Sequence, residues 1–302
     1  MSNLKSTLEL NNGVKMPKFG LGVWKSNNTE AKNAVSTAIQ NGYLLIDTAK
    51  QYGNETGVGQ GIREGLQKTG MNRKDIFITT KVFNGDQGYD STLYAFENQL
   101  KRLNLNYLDL LLVHWPVDGK FIDTYKAMET LYKNGRVRAL GISNFNTERL
   151  NQLLDRTTIT PTINQMEFNP YNQENEILSN NKLQGIQMEA WSPLGGGEAL
   201  ADPVINQIAV RYKKSVAQII LRWEYQRDLV IIPKSIHEQR IIENSQIFDF
   251  SLTDQDMELI NNLDKGQDHR VLHYDDFKWH NPNGSWGDEV DHCEDSPANY
   301  AD

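Results

Sequence analysis

Residues 44–55 read LLIDTAKQYGNE, an apolar run that ends on Asp47 and gives way to a tight turn presenting Tyr52. In a chain of alternating strands and helices, the loops after the strand ends form one open face, and chemistry-bearing side chains gather there. One such stretch decides little, since an aspartate often only caps a turn and a tyrosine often only packs on the surface. The pattern returns, however, at Lys81 in IFITTK and at His114 in LDLLLVH. Apolar runs that each end in a polar group predict neighbouring strands delivering Asp47, Tyr52, Lys81 and His114 to a common mouth.

Outward from this stretch the same unit repeats. Strands are expected over 19–24, 44–49, 76–82, 108–115, 137–143, 162–168, 187–191 and 229–233. Helical spacing fills the gaps: Ala31, Ala34, Val35, Ala38 and Ile39 form one apolar stripe, and further helices are expected over 55–68, 90–103, 123–132, 147–154, 174–180, 203–212, 215–226, 237–244 and 253–263. Ser215 with Gln218 makes a capping box, and Thr253 has Asp256 three residues on. Asn12-Gly13 between two short extended runs predicts an N-terminal β-hairpin.

Strands rich in Val, Ile and Leu that alternate with helices mean a parallel sheet covered by helices. Eight such units in roughly 250 residues predict an α/β chain folded as a (β/α)8 TIM barrel. The competing doubly wound sheet would carry a glycine-rich phosphate turn directly after its first strand. Gly20-Leu21-Gly22 lies inside that strand without a third glycine. Gly57-Val58-Gly59-Gln60-Gly61 sits in a helical stretch, where close packing against the barrel explains it better than a dinucleotide fingerprint.

With 302 residues, 38% of them hydrophobic, the chain can bury a large core, and we expect one barrel domain with its core over about 8–263 and a C-terminal extension over 266–302. The N-terminus has no apolar leader, and no apolar stretch approaches the ~18 residues that would cross a membrane. A single cysteine, Cys293, rules out an internal disulfide and suits a reducing compartment, so a cytoplasmic location is expected. The formal charge of −8, with no stripe of Lys or Arg, argues against nucleic acid as a partner. A small molecule is the expected partner, and the protein is expected to be a monomer, or at most a homodimer.

The acidity belongs to the tail, where nine acids and two bases between 266 and 302 account for −7. Tyr274, Phe277, Trp279, Trp286 and Tyr300 stand among those acids. Their number predicts that the first half of the tail folds back over the open face and lines a pocket, while the stretch from about Asp288 is a disordered acidic extension. His269, His273, His280 and His292 also lie there, but their spacing matches no established ligand pattern and no metal is expected.

The four strand-end residues form a chemical set. A phenol alone is a weak acid near neutrality, with a pKa of about 10. An ammonium beside it favours the phenolate, and a carboxylate beside the ammonium keeps it charged. A histidine on the next strand can then donate to a carbonyl oxygen and steer it toward the phenol. Singly, each residue is more simply an ion-pair member or a core histidine; together, at consecutive strand ends, they make a proton-donating site.

The motifs MPKFGLGVW, IDTAKQYGNE, ITTKV, LDLLLVHWP, GISNF, NQMEFNP, EAWSPL and IPKSIHEQRIIEN, in this order between about residues 8 and 263, resemble those of the aldo-keto reductases. Within that superfamily the chain is similar to bacterial reductases of methylglyoxal, glyoxal and 2,5-diketo-D-gluconate. The resemblance implies NADPH-dependent carbonyl reduction with Tyr52 as general acid, Lys81 and Asp47 tuning it, and His114 orienting the carbonyl. It further implies that Ser143, Asn144 and Gln165 hold the nicotinamide carboxamide and that Trp191 stacks on the ring. Ser192 and Leu194 match the pyrophosphate loop, Lys234, Ser235 and Arg240 the 2′-phosphate site, and Glu243 and Asn244 the adenine contacts. Trp24, Phe83 and Trp115, with Tyr52 and His114, match the substrate wall.

Two departures stand out against this resemblance. Phe83 occupies a position where the family often has tryptophan. The loop after Ser192-Pro193-Leu194 holds only Gly195-Gly196-Gly197-Glu198, which implies an open, quickly exchanging cofactor site. Two other functional classes share parts of the pattern. A non-enzymatic interaction protein could use the same barrel, and NADPH oxidation would separate it. A Schiff-base aldolase with Lys81 as nucleophile needs a neutral lysine, which a neighbouring Asp47 disfavours.

Overall fold

The computed structural model describes residues 3–272. An antiparallel hairpin, β1 (Thr7–Glu9) and β2 (Lys15–Pro17), opens the chain around Asn12-Gly13, with Gly13 at φ 81°. Eight parallel strands follow: β3 (Leu21–Gly22), β4 (Leu45–Asp47), β5 (Phe77–Val82), β6 (Leu108–Val113), β7 (Val137–Ser143), β8 (Ile163–Glu167), β9 (Gln187–Trp191) and β10 (Val230–Ile231). They pair in sequence order, and parallel bridges Phe19–Ile231 and Gly22–Lys234 join the first strand to the last. A sheet whose two edges meet is a closed barrel, so the doubly wound alternative falls.

The first strand is shorter than the 19–24 expected, because its pairing is confined to Leu21–Gly22 on the β4 side and to two single bridges on the β10 side. Glycines let the closing strands approach there: a Cβ on Gly20 would lie 2.5 Å from Leu45 Cγ, and one on Gly22 3.0 Å from the Ile232 carbonyl oxygen.

Ten helices surround the strands among the described residues: α1 (Asn28–Gln40), α2 (Glu55–Thr69), α3 (Tyr89–Leu103), α4 (Phe121–Lys133), α5 (Thr147–Leu154), α6 (Asn175–Leu183), α7 (Pro203–Tyr212), α8 (Val216–Gln226), α9 (Glu238–Asn244) and α10 (Asp254–Asn261). None is long and apolar enough to cross a membrane. Ser215 and Thr253 form the capping boxes legible in the sequence. The α2 glycines do serve close packing, but against neighbouring helices rather than the barrel. A Cβ on Gly57 would sit 2.1 Å from the Asn28 carbonyl oxygen of α1, and one on Gly59 2.3 Å from the Leu103 carbonyl oxygen that ends α3.

Alternation along the strands sorts the apolar residues into two cores. One fills the layer between sheet and helices, and includes Ile46, Ile78, Leu111, Leu140 and Met188. The other fills the barrel, where Leu45, Phe77, Leu110, Ile163 and Val230 meet Leu10 and Met16 of the hairpin. These side chains lie at the beginnings of the strands, so the hairpin plugs that end. The mouth at the opposite end, where strands finish in Asp47, Ser143, Glu167 and Trp191, is left for chemistry.

After α10 the chain turns back. Lys265 N–H donates to the Tyr171 carbonyl oxygen (2.8 Å), a 3-10 turn covers Gln267–His269, and the Val271 and Leu272 N–H groups donate to the Glu167 carboxylate at 2.6 and 3.4 Å. Residues 265–272 therefore run along the loops after β8 and β9 toward the mouth. Tyr274, Phe277, Trp279, Trp286, Tyr300, Cys293 and the remaining tail histidines lie outside the described residues, as does the reading of the tail as a pocket wall.

Candidate active site

The turn after β4 is built to hold Tyr52. A 3-10 helix, Lys50–Tyr52, ends in a left-handed Gly53 (φ 64°), which reverses the chain into α2. Behind it the wholly buried Asn54 donates through Nδ2 to the Val23 and Ser26 carbonyl oxygens, both at 2.9 Å, and accepts from Thr48 Oγ1 at 3.1 Å. These bonds tie the loop after β4 to the loop after β3. Next in sequence, Glu55 accepts from Thr80 Oγ1 (2.7 Å) and Arg102 Nε (2.8 Å), anchoring the start of α2 to β5 and α3.

Lys81 is the hub of the mouth. Its Nζ donates to Asp47 Oδ1 at 2.6 Å, to the Thr48 carbonyl oxygen at 3.0 Å and to Tyr52 Oη at 3.0 Å. The Lys81 and Asp47 side chains are only 1% and 2% exposed, so water screens the pair very little. Burial works against the ammonium, but the charges and hydrogen bonds of Asp47 and Tyr52 outweigh it and hold Lys81 above its ordinary pKa. Burial likewise raises the Asp47 carboxyl, opposed by Lys81 and by Gln165.

The sequence leads one to expect a lowered Tyr52. Lys81 does pull the phenol down, but burial pushes it up by more, with Asp47 and Glu189 adding to the rise, and the net direction is upward. His114 follows β6, its ring 5.9 Å from the Tyr52 ring in an edge-to-face arrangement. Burial, reinforced by the Lys81 charge, holds His114 well below its ordinary pKa, so the imidazole is neutral. A neutral imidazole has one N–H to donate, which suits a carbonyl oxygen.

Across the barrel the ends of β7, β8 and β9 supply a second polar group. Ser143 Oγ donates to the Gln165 carbonyl oxygen at 2.9 Å. Asn144 donates to the His114 carbonyl oxygen and to Ser143 Oγ, both at 3.0 Å, and accepts from Trp191 Nε1 at 2.9 Å. The half-buried Trp191 ring is thereby pinned at the mouth. Asn144 and Ser192 take left-handed backbone angles (φ 63° and 52°), a cost that recurs where side chains must be aimed. Gln165 Nε2 donates to Asp47 Oδ2 (2.9 Å) and to Glu189 Oε2 (2.8 Å), which links this group to the Lys81 hub.

The aromatic residues expected to form the substrate wall come from the same face. Half-buried Trp24 follows β3 with the Lys25 ammonium 4.8 Å from its ring, and buried Phe83 follows β5 with the Lys50 ammonium 5.3 Å away. Trp115 stacks on His114 at 6.2 Å and 22°. Leu194 is half-buried before the short Gly195–Ala201 3-10 segment, whose Gly196 faces Val271.

Beyond β10, exposed Lys234 points its Nζ at the Lys25 carbonyl oxygen (3.4 Å), and burial, then the Lys25 charge, lower its pKa against an opposing Glu30. Ser235 Oγ accepts from His237 N–H at 3.1 Å and so shapes the entry to α9. That short helix carries exposed Arg240, half-buried Glu243 and buried Asn244. Sequence reasoning missed Asn54 and Glu189. Nothing local in QYGNE marks its asparagine, whose reach back to Val23 is set by the fold. Glu189 alternates with outward-facing Met188 and Ala190, which marks it as an inward position.

Residues 16–265 match the Aldo/keto reductase family. The chain belongs to that family of oxidoreductases. It is 53% identical to the glyoxal reductase of Bacillus subtilis over 267 residues, covering 88% of this chain and 95% of that protein. It is 42% identical to the methylglyoxal reductase DkgA of Salmonella typhimurium over 264 residues, covering 86% and 94%. Among solved aldo-keto reductases, that of Bombyx mori in complex with NADP superimposes with a TM-score of 0.87 at 33% identity, over 93% of this chain and all of that one.

Proposed function

We propose that this aldo-keto reductase uses NADPH to reduce small carbonyl compounds, such as dicarbonyls or keto-sugars, to alcohols, with Tyr52 as the general acid. One observation carries the reading: a buried ammonium, Lys81 Nζ, stands 2.6 Å from Asp47 and 3.0 Å from Tyr52 Oη at the barrel mouth. An ammonium touching a phenol stabilises the phenolate left after proton donation, and Asp47 keeps that ammonium charged.

The donor set fits NADPH. Ser143, Asn144 and Gln165 present a hydroxyl and two amides, the kinds of group a carboxamide bonds to, and Gln165 Oε1 among them is an open acceptor. Trp191 offers a flat face to a nicotinamide ring, and Ser192 and Leu194 flank its pyrophosphate. Lys234, Ser235 and Arg240 suit a dianionic 2′-phosphate, with Glu243 and Asn244 beside the adenine. When bound, the cofactor supplies a hydride to the carbonyl carbon.

The chain's own residues do the rest. Neutral His114 donates to the carbonyl oxygen and aims it at Tyr52. Tyr52 gives that oxygen its proton, and Lys81 holds the resulting phenolate until solvent restores it. Trp24, Phe83 and Trp115 exclude water from the carbonyl. Positioned acid catalysis of this kind contributes roughly 10²- to 10⁴-fold. The whole reaction is assigned to one barrel domain, with its core at about 8–263 and a C-terminal extension over 266–302, acting in the cytoplasm as a monomer or at most a homodimer.

The aldolase reading is disfavoured because Lys81 is held charged rather than neutral. NADPH oxidation measured with glyoxal, methylglyoxal, 2,5-diketo-D-gluconate and simple aldehydes is the test. Turnover with at least one dicarbonyl is expected, and no oxidation of NADPH with any carbonyl contradicts the proposal.

A further inference from the structure

Glu189 is a carboxyl in a place where a barrel normally keeps an aliphatic side chain. It lies in β9 opposite Gln165 in β8 and Val230 in β10, points into the barrel and is wholly buried. Burying a carboxyl there is costly unless something uses it.

What uses it is the Gln165 amide. One Nε2 hydrogen goes to Asp47 Oδ2 at 2.9 Å and the other to Glu189 Oε2 at 2.8 Å. Turning the amide over would set its carbonyl oxygen against the Asp47 carboxylate and break the bond to Glu189 Oε2, so the two acceptors together hold the observed orientation. With both N–H groups spent, the one hydrogen-bonding atom left on that side chain is Oε1, an acceptor. An acceptor is what the NH2 of a nicotinamide carboxamide needs.

We propose that Glu189 is a positioning residue for hydride transfer: with Asp47 it locks the Gln165 amide so that Oε1 receives the carboxamide NH2 of the cofactor. This rests on the cofactor reading above. The groups facing Glu189 are Asp47 from β4, Tyr52 from the following turn, Lys81 from β5 and Gln165 from β8, while its β10 neighbour Val230 is apolar. Its Oε1 has no hydrogen-bond partner among the described residues, an arrangement that a neutral acid tolerates better than a carboxylate. Burial first, and the facing Asp47 second, push Glu189 up to about 8. Its ionisation above that pH adds a negative charge near Tyr52, raises the phenol further and weakens the acid.

The experiment compares wild type with Glu189→Gln and Glu189→Leu by fluorescence titration, using NADPH and its reduced 3-acetylpyridine analogue, which lacks the carboxamide NH2. Wild type and the Gln variant, whose amide oxygen still accepts from Gln165, should prefer NADPH by about fivefold, the worth of one neutral hydrogen bond. The Leu variant, in which Asp47 alone holds the amide, should lose most of that preference. In turnover, kcat of the wild type is expected to decline above about pH 8, and the Gln variant should lose that decline. Equal preference in wild type and the Leu variant, or a Gln variant as impaired as Leu, overturns the proposal. Binding is read without any carbonyl, so failure of the reductase reading would show separately, as absent turnover with the cofactor preference intact.

Discussion

Replacing Lys81 by methionine removes the hub and keeps most of the volume. The substitution deletes three hydrogen bonds and strands Asp47, which is 2% exposed, without its counter-ion. Breaking one side of a buried pair costs about 3–5 kcal/mol, because the remaining charge is left uncompensated. Tyr52 simultaneously loses the group that pulls its pKa down, so burial acts on it with less opposition and kcat should fall by about 10²-fold or more.

The loss of stability has a pH signature. Without the ammonium, burial holds the Asp47 carboxyl above its unfolded value of about 3.9. A carboxyl raised in this way contributes stability that is present below the unfolded pKa and lost as pH rises through the folded one, so the deficit should be larger at about pH 8 than at about pH 5. Urea unfolding at both pH values, with steady-state kinetics, measures each part. Adding Asp47→Asn should recover most of the stability and none of the activity. A single variant within about 1 kcal/mol of wild type at both pH values, or a double variant that regains turnover, refutes the reasoning.

Arg240→Ala should weaken NADPH far more than NADH, by roughly 1.5–3 kcal/mol, since the 2′-phosphate makes charge-assisted bonds that NADH lacks; equal loss for both cofactors assigns Arg240 to the adenine or the fold instead. Gly57→Ala should destabilise by about 1–3 kcal/mol in urea unfolding, because the new Cβ would lie 2.1 Å from the Asn28 carbonyl oxygen. An exposed helix would instead gain about 1 kcal/mol from the same change, so a stabilised variant contradicts the close α1–α2 contact. Removing residues after Gly266 should raise KM for carbonyls and lower stability by about 1–3 kcal/mol, through loss of the bonds from Val271 and Leu272 to Glu167; unchanged KM and stability mean that the segment is a passive appendage.

The barrel was legible because short apolar runs alternate with helical periods eight times along the chain, and several of those runs lead into a polar residue such as Asp47, Lys81, His114 or Ser143. Helix 147–154 and strands 137–143 and 187–191 have the boundaries that the sequence predicts. The first strand was not, because its limits depend on where two distant edges meet, which no local pattern encodes. Of the site, the Asp47, Lys81 and Tyr52 cluster followed from strand-end chemistry, but the direction of the Tyr52 shift did not. A neighbouring ammonium is visible in sequence, whereas the depth of burial that outweighs it is a property of the assembled mouth. Glu189 went unnoticed for a related reason: its partner Gln165 lies one strand away, and Asp47 lies across the barrel.

The central claim is that Tyr52 delivers the proton, and Tyr52→Phe tests it most directly. The hydroxyl acts mainly in the transition state, so kcat with the best dicarbonyl should fall by at least about 10²-fold while NADPH affinity, read by fluorescence titration, stays nearly unchanged. Turnover within a few-fold of wild type would contradict the account.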